Sequence, residues 1–236
     1  MTHFVLVHGA FHGGWCWSEV AAGLTQKGHA VVAPDLPGSG DDHTPVEGVT
    51  LESAVDRIIE ALKASDEPSV LAAHSMGGIV TTQVAAQVPE LISRLVYVTA
   101  FRPVDGESLL DLTHLPEGAG DGVQANISVA GDPPVATFNL EKANEIFGNG
   151  VPAHLAQQAV AKLTPQPLSL FATPVSLGGA VLPPTEYVIC SEDRAIPPAL
   201  QELMAARTPS ARIHRLKAGH SPFYSHPQET IDILLG

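Results

Sequence analysis

One serine stands at the corner of a segment whose residue types suit nucleophilic catalysis. The apolar run Val70–Ala73 leads into the pentapeptide His74–Gly78, which carries Ser75, and a helical pattern follows. A serine hydroxyl becomes a good nucleophile when a sharp turn exposes it near a base and near a helix N-terminus, whose N–H groups can bind an oxyanion. Such a turn needs small neighbours. Gly77 supplies one, and Ala73 stands where the usual Gly-x-Ser-x-Gly pattern has its first glycine.

An acid and a histidine follow two later strand-like runs, at the point where each run ends. Asp193 comes after Tyr187–Cys190, and His220 comes after Arg212–Leu216. Because ligands bind at the carboxyl edge of parallel strands, both side chains are expected near Ser75. His220 would accept the serine proton, and Asp193 would orient the imidazole. Glu192 is the alternative acid.

Each of these residues also has an ordinary structural explanation. The chain contains 11 histidines, and an aspartate after a strand is a common turn residue. The order serine, acid, histidine on one sheet edge is what favours catalysis.

Strand-like and helical patterns alternate along most of the chain. Apolar runs at 4–7, 29–33, 69–73 and 94–99 enclose helical patterns at 15–27, 51–62 and 76–87, with Thr50 as an N-cap. Two more strands follow residue 185. Strands that alternate with helices predict an α/β fold with a doubly wound, mainly parallel six-stranded sheet.

The alternation breaks between residues 101 and 184. Turns rich in proline, glycine and aspartate separate short helical patterns near 140–147 and 152–163. We therefore expect a core of residues 1–100 and 185–236, with a helical cap of residues 101–184 inserted after the fourth strand. The insertion leaves the sheet at its catalytic edge, which predicts a hydrophobic pocket lined by Phe11, Phe138, Phe147 and Phe171. The alternative is that these phenylalanines pack only onto the helices of the core.

Composition excludes several partners. The 236 residues are 44% hydrophobic, enough for one core, and 25 acidic against 12 basic residues give a formal net charge of −13. This charge repels nucleic acid and anionic membranes. Cys16 and Cys190 form neither a disulfide framework nor a metal motif, and no apolar stretch is long enough to span a bilayer. We expect a soluble cytoplasmic protein.

Five segments carry a resemblance to a known family over essentially the whole chain. They are His3–Trp17, Pro34–Gly40, His74–Gly78, Glu192-Asp193 and Gly219-His220. The chain resembles the α/β-hydrolases that include plant methylesterases, hydroxynitrile lyases and bacterial pyrethroid-type carboxylesterases.

The resemblance implies roles for individual residues. Ser75 would be the nucleophile, Asp193 and His220 its partners, and the backbone N–H groups of Ala10 and Met76 the oxyanion hole. It also implies that the insertion caps the site and that no metal or organic cofactor is required.

Three functions are compatible with this family. The first is a serine esterase that cleaves carboxylic esters with hydrophobic groups through an acyl-enzyme. The second is a cyanohydrin lyase that uses the triad only as a base, and the third is a ligand-binding receptor. Such lyases have a hydroxyl-bearing residue at the position of Gly9 and a lysine at that of Ser221, so esterase activity is expected here. The acyl and alcohol preferences and the oligomeric state stay open.

Overall fold

A six-stranded parallel sheet organises the protein. The computed structural model describes residues 1–208 and 211–236. The strands of the described residues are β1 His3–Val7, β2 Ala30–Val32, β3 Ser69–Ser75, β4 Ile92–Ala100, β5 Ile127–Ala130, β6 Val135–Phe138, β7 Gln166–Pro167, β8 Thr185–Cys190 and β9 Arg212–Leu216. The main sheet has the order β2-β1-β3-β4-β8-β9, and every pair in it is parallel. The predicted six-stranded parallel sheet is confirmed.

Helices cover both faces of this sheet. The α-helices are α1 Ser18–Gln26, α2 Leu51–Leu62, α3 Gly77–Gln87, α4 Leu109–Thr113, α5 Leu140–Ile146, α6 Ala153–Val160, α7 Ser169–Ala172, α8 Pro198–Ala206, α9 Pro222–Ser225 and α10 Pro227–Leu235. Short 3-10 turns occupy Gly14–Trp17, Val46–Gly48, Pro89–Leu91, Pro116–Gly118 and Gln124–Asn126. Successive side chains of a strand point to opposite faces. Phe4 and Leu6 of β1 therefore join the core with α1 and α10, whereas Val5 and Val7 join the core with α2 and α3.

The best-predicted helices are those with clear end signals. Helix α2 spans Leu51–Leu62 as the periodicity predicts, and the Thr50 hydroxyl accepts a hydrogen bond from the Ser53 N–H at 3.0 Å. The Ser53 hydroxyl in turn accepts the Thr50 N–H at 2.9 Å. This reciprocal capping satisfies two N–H groups that have no partner inside the helix.

The first helix is shorter than the predicted range 15–27. A 3-10 turn comes first, and the Gly14 N–H donates to the Asp35 carboxylate at 2.6 Å. A Cβ at Gly14 would lie 2.0 Å from the Ala33 carbonyl oxygen. The chain is therefore held against the loop after β2 before α1 begins.

The segment 101–184 is not purely helical, and this part of the expectation is wrong. Strands β5, β6 and β7 form a small antiparallel sheet beside α4, α5, α6 and α7. Ile127–Ala130 and Val135–Phe138 are two short, mainly apolar runs that contain β-branched residues, and a turn at Gly131–Pro134 joins them. That pattern is typical of a hairpin, although its two prolines favour a loop at first reading.

No helix within residues 1–208 and 211–236 is both long and apolar enough to cross a membrane. Cys16 and Cys190 are free and buried.

Candidate active site

Ser75 lies in a strained turn between β3 and α3. Its φ is +52°, in the left-handed region that costs a non-glycine residue about 1–2 kcal/mol. The Phe101 N–H donates to the Ser75 carbonyl at 3.0 Å, which ties the turn to the end of β4. A Cβ at Gly77 would lie 2.6 Å from the His8 carbonyl oxygen, and one at Gly78 would lie 2.0 Å from that of Phe101. Only glycine fits these two positions, so the packing around the turn maintains its conformation.

The Asp193 carboxylate is buried and accepts five hydrogen bonds. Oδ1 accepts the backbone N–H groups of Ala195 at 2.7 Å and Ile196 at 3.0 Å. Oδ2 accepts the Thr99 hydroxyl, the Gln201 amide at 3.2 Å and His220 Nδ1 at 2.8 Å. A carboxylate with this many donors keeps its orientation without water.

His220 is hydrogen-bonded both at its ring and at its backbone carbonyl. Because the Asp193 carboxylate accepts from Nδ1, this nitrogen carries the proton, and Nε2 keeps a lone pair that could accept a proton. The His220 carbonyl accepts Nε2–H of His74 at 2.8 Å, and the two imidazole rings lie 4.5 Å apart. Burial holds the pKa of His74 well below its ordinary value, and the neighbouring His220 lowers it further. His74 is therefore a neutral donor that orients the backbone of His220.

Glu192 is placed differently from Asp193. Its carboxylate is half exposed and lies 3.8 Å from Lys217 Nζ at the surface. Among the described residues, no hydrogen bond joins the Ser75 hydroxyl to the His220 ring. Such contacts are often loose without substrate and tighten in the reacting complex.

A narrow cavity opens directly above Ser75. Its interior leaves about 30 Å³ open to the centre of a water molecule, and its walls combine Ala10, Phe11 and Met76 with residues of segment 101–184. In the described part of the chain, neither the Ala10 nor the Met76 N–H donates to a protein acceptor. Both groups are thus free to bind an oxyanion beside the serine.

Three of the four predicted pocket phenylalanines line this cavity. Phe11, Phe147 and Phe171 do, whereas Phe138 packs behind them, 5.7 Å from the Phe11 ring and 4.6 Å from the Phe147 ring. Phe11 has a φ of +64°, and its N–H donates to the Gln166 side chain at 3.3 Å. Segment 101–184 therefore fixes the conformation of the loop after β1.

Three polar residues of the cavity wall were not predicted: Thr113, Asp121 and Gln124. Asp121 is buried, and its Oδ1 accepts the N–H groups of Val123 at 2.7 Å and Gln124 at 3.0 Å. Burial raises the pKa of Asp121 to about 6, despite these two hydrogen bonds. The only sequence signal was the dipeptide Asp121-Gly122, which is typical of turns.

The described residues hold no cluster of histidine, cysteine or acidic side chains that suits a metal ion.

Comparison with known proteins agrees with this geometry. The sequence model of the "Alpha/beta hydrolase family" matches residues 4–233. The chain belongs to the alpha/beta hydrolase family. In this family the strained serine turn, the acid and the histidine occur in the same chain order as here.

Several members of the alpha/beta hydrolase family are similar along the whole chain. The carbendazim hydrolyzing esterase of Nocardioides sp. (strain SG-4G) is 30% identical over 247 residues, which cover 99% of this chain and 98% of that protein. Putative methylesterase 11, chloroplastic, of Arabidopsis thaliana is 31% identical over 246 residues, and this chain spans 63% of its length. A pyrethroid hydrolase from Sphingobium faniae JZ-2 shares the fold, with a TM-score of 0.89 at 24% identity. The superposition covers 99% of this chain and 96% of that chain.

Asp121→Asn is expected to stabilise this hydrolase above pH 6. The pKa of Asp121 is raised from 3.8 to about 6 in the folded state, so ionisation in the folded protein opposes stability as the pH rises through this interval. Asparagine keeps an oxygen for the two backbone N–H groups and carries no charge. We expect a gain of up to about 3 kcal/mol at pH 8 in urea denaturation.

This gain should shrink as the pH falls from 6 to 4, because the wild-type carboxyl then becomes neutral. Asp56→Asn, an exposed change on α2, is the matched control and should stay within about 0.5 kcal/mol. An Asp121→Asn protein less stable than wild type at pH 8 would contradict this account.

Proposed function

We propose that this protein is a serine carboxylesterase that cleaves esters with hydrophobic groups through an acyl-enzyme. The observation that carries the proposal is the buried pair of Asp193 Oδ2 and His220 Nδ1, 2.8 Å apart, at the same sheet edge as the strained Ser75. Known relatives with esterase names support it, among them the carbendazim hydrolyzing esterase.

In the proposed reaction, His220 Nε2 removes the Ser75 proton as the serine oxygen attacks the ester carbonyl. The developing oxyanion would accept the N–H groups of Ala10 and Met76, a type of contact worth about 3–4 kcal/mol per donor in comparable enzymes. The imidazolium then protonates the leaving alcohol. Water, activated by the same imidazole, would hydrolyse the acyl-enzyme and restore Ser75.

Asp193 keeps the base in the correct tautomer. Its oxygen accepts Nδ1–H and would stabilise the imidazolium that forms during each half-reaction. Thr99 and Gln201 donate to the same oxygen, so they hold the carboxylate in line with the ring.

The lyase alternative meets two obstacles. A side chain at Gly9 would begin 2.7 Å from Ser75 Cβ and 2.9 Å from His74 Nδ1, so the hydroxyl-bearing residue of the lyases would need the site to rearrange. Ser221 stands where those lyases have a lysine, and its hydroxyl donates to the Phe147 carbonyl at 2.8 Å. The site therefore offers no lysine to a departing cyanide. The receptor alternative has no supporting feature, since the proposed triad positions hold competent residues.

We further propose that residues 101–184 act as a cap on a core of residues 1–100 and 185–236. Leu109, Phe147 and Phe171 of this segment share the cavity wall with Ser75, which supports a role in substrate selection. The expected partner is a small hydrophobic ester, without nucleic acid or membrane, given the net charge of −13. A cytoplasmic location fits the two free cysteines.

Ser75→Ala should abolish ester turnover and leave the protein folded. The serine supplies the covalent step and little packing, so we expect a loss of several orders of magnitude in kcat with an unchanged melting curve. A fluorophosphonate should label Ser75 stoichiometrically in the wild type. An active preparation whose Ser75 stays unlabelled would overturn the nucleophile assignment.

Asp193→Asn and Glu192→Gln form a matched pair for the acid. Asparagine at 193 favours the wrong imidazole tautomer, so kcat should fall by about 10⁴ with little change in KM. Glu192 is half exposed and its replacement should leave kcat within about threefold. Steady-state kinetics on one ester measures kcat for both variants. A larger loss of kcat in Glu192→Gln than in Asp193→Asn would assign the role of the acid to Glu192.

Phe147→Ala and Phe171→Ala should change the preferred acyl length. Each methylene that fits an apolar pocket adds up to about 0.8 kcal/mol of binding, so kcat/KM should rise with chain length until the pocket is full. A widened pocket moves this optimum to longer chains while acetate esters keep most of their rate. Val181→Ala, at an exposed position, is the control. Equal proportional losses at all chain lengths would show that the phenylalanines are only structural.

A further inference from the structure

Three polar side chains besides Ser75 lie in the wall of the cavity: Thr113, Asp121 and Gln124. The Thr113 hydroxyl donates to the Leu110 carbonyl at 2.9 Å, whereas Asp121 and Gln124 each have an unused hydrogen-bonding group. Asp121 is only 8% exposed; its Oδ1 accepts two backbone N–H groups, whereas its Oδ2 accepts none from the described residues. Gln124 Nε2 is buried and has no hydrogen-bond partner among these residues. Two residues that line the same cavity therefore carry one unused acceptor and one unused donor, and a turn of the Gln124 side chain would bring its buried amide to the cavity.

The turn that carries this pair is anchored to the loop of Asp193. The Gly122 N–H donates to the Arg194 carbonyl at 3.0 Å, and a Cβ at Gly122 would lie 2.5 Å from the same oxygen. Asn126 Nδ2 donates to the Gly122 carbonyl at 2.8 Å. Asp121 and Gln124 are thus positioned relative to the proposed catalytic acid by direct contacts, not by a free loop.

Folding alone does not explain these two groups. Asp121 accepts the N–H groups of Val123 and Gln124 with Oδ1 alone, so Oδ2 is not needed for the turn. An asparagine could accept the same two hydrogen bonds without placing a charge in the wall. A buried amide donor without a partner costs about 1–3 kcal/mol. Residues that reduce stability in a cavity are expected where a ligand completes their hydrogen bonds.

We infer that Asp121 and Gln124 form a hydrogen-bonding subsite that selects esters carrying a hydroxyl group. The hydroxyl oxygen would accept Gln124 Nε2–H, and its proton would go to Asp121 Oδ2. An ammonium group can only donate and an ether can only accept, so neither satisfies both residues. This inference rests on the proposed esterase function and narrows its substrate class.

The test compares matched esters within each enzyme preparation. The panel consists of methyl esters of four- to eight-carbon acids, unsubstituted, with a hydroxyl at successive carbons from C3, or with a methoxy group there. Alkyl and hydroxyalkyl acetates cover the alcohol side. For the wild type we expect at least one hydroxy ester to exceed its unsubstituted parent about tenfold in kcat/KM, and its methoxy analogue to lose most of this advantage.

Gln124→Leu removes the donor and keeps the approximate volume. It should lower the ratio of hydroxy to parent ester at least fivefold, and Asp121→Asn should lower the ratio of hydroxy to methoxy ester, because asparagine adds a donor. Gln157→Leu, at an exposed position on α6, is the control and should keep the wild-type ratios. Ratios within one preparation cancel differences in folded fraction.

The possible results distinguish a failure of the proposed subsite from a failure of the proposed esterase function. Normal turnover with no hydroxy preference in any position, or a preference unaltered by Gln124→Leu, overturns the subsite and leaves the esterase proposal standing. Absence of turnover on every ester, together with no fluorophosphonate labelling of Ser75, overturns the esterase proposal itself. Hydroxy esters favoured by the wild type and not by Gln124→Leu support both.

Discussion

The Asp193 carboxylate is the point at which four separate parts of the chain meet. Its oxygens accept from Thr99 at the end of β4, from the backbone of its own loop, from Gln201 of α8 and from His220 after β9. A buried charge is tolerated only when such partners surround it, because its desolvation costs several kcal/mol. The geometry of these segments is therefore coupled, and the orientation of His220 depends on all of them.

The parallel sheet makes this meeting possible. The parallel strands β3, β4, β8 and β9 end at one edge, so Ser75, Thr99, Asp193 and His220 converge although they are far apart in sequence. The same edge stores strain, since both Ser75 and Thr99 have a positive φ, +52° and +39°. Close packing of Gly77 and Gly78 against neighbouring carbonyl oxygens prevents the serine turn from relaxing.

Segment 101–184 is built from shorter elements than the core. Its helices have four to eight residues and its strands two to four. Short elements bury little area on their own, so their position depends on contacts with the core. The Gln166 side chain on the Phe11 backbone and the phenylalanine cluster around the Phe11 ring are such contacts. Phe11, Phe147 and Phe171 of this cluster also form part of the cavity wall, so contacts that hold the segment in place also shape the pocket.

The sequence by itself determined the features that follow a local period or an end signal. Apolar runs with β-branched residues located the strands of the core, and Thr50 with its periodic helix located α2 to the residue. The small residues around Ser75 indicated the strained turn, and chain order nominated Asp193 and His220.

Only the tertiary structure decided which neighbouring side chains reach the cavity. Asp193 and Glu192 are adjacent and chemically alike, yet one carboxylate contacts His220 and the other lies at the surface. Nothing in the sequence distinguishes Phe138 from Phe147, yet only Phe147 lines the cavity and Phe138 lies behind it. Asp121 and Gln124 have the residue types of an ordinary turn, and only the packing of that turn against the loop of Asp193 places them in the cavity wall. The physical reason is that the direction of a side chain in a loop depends on contacts between distant segments, which no local pattern encodes.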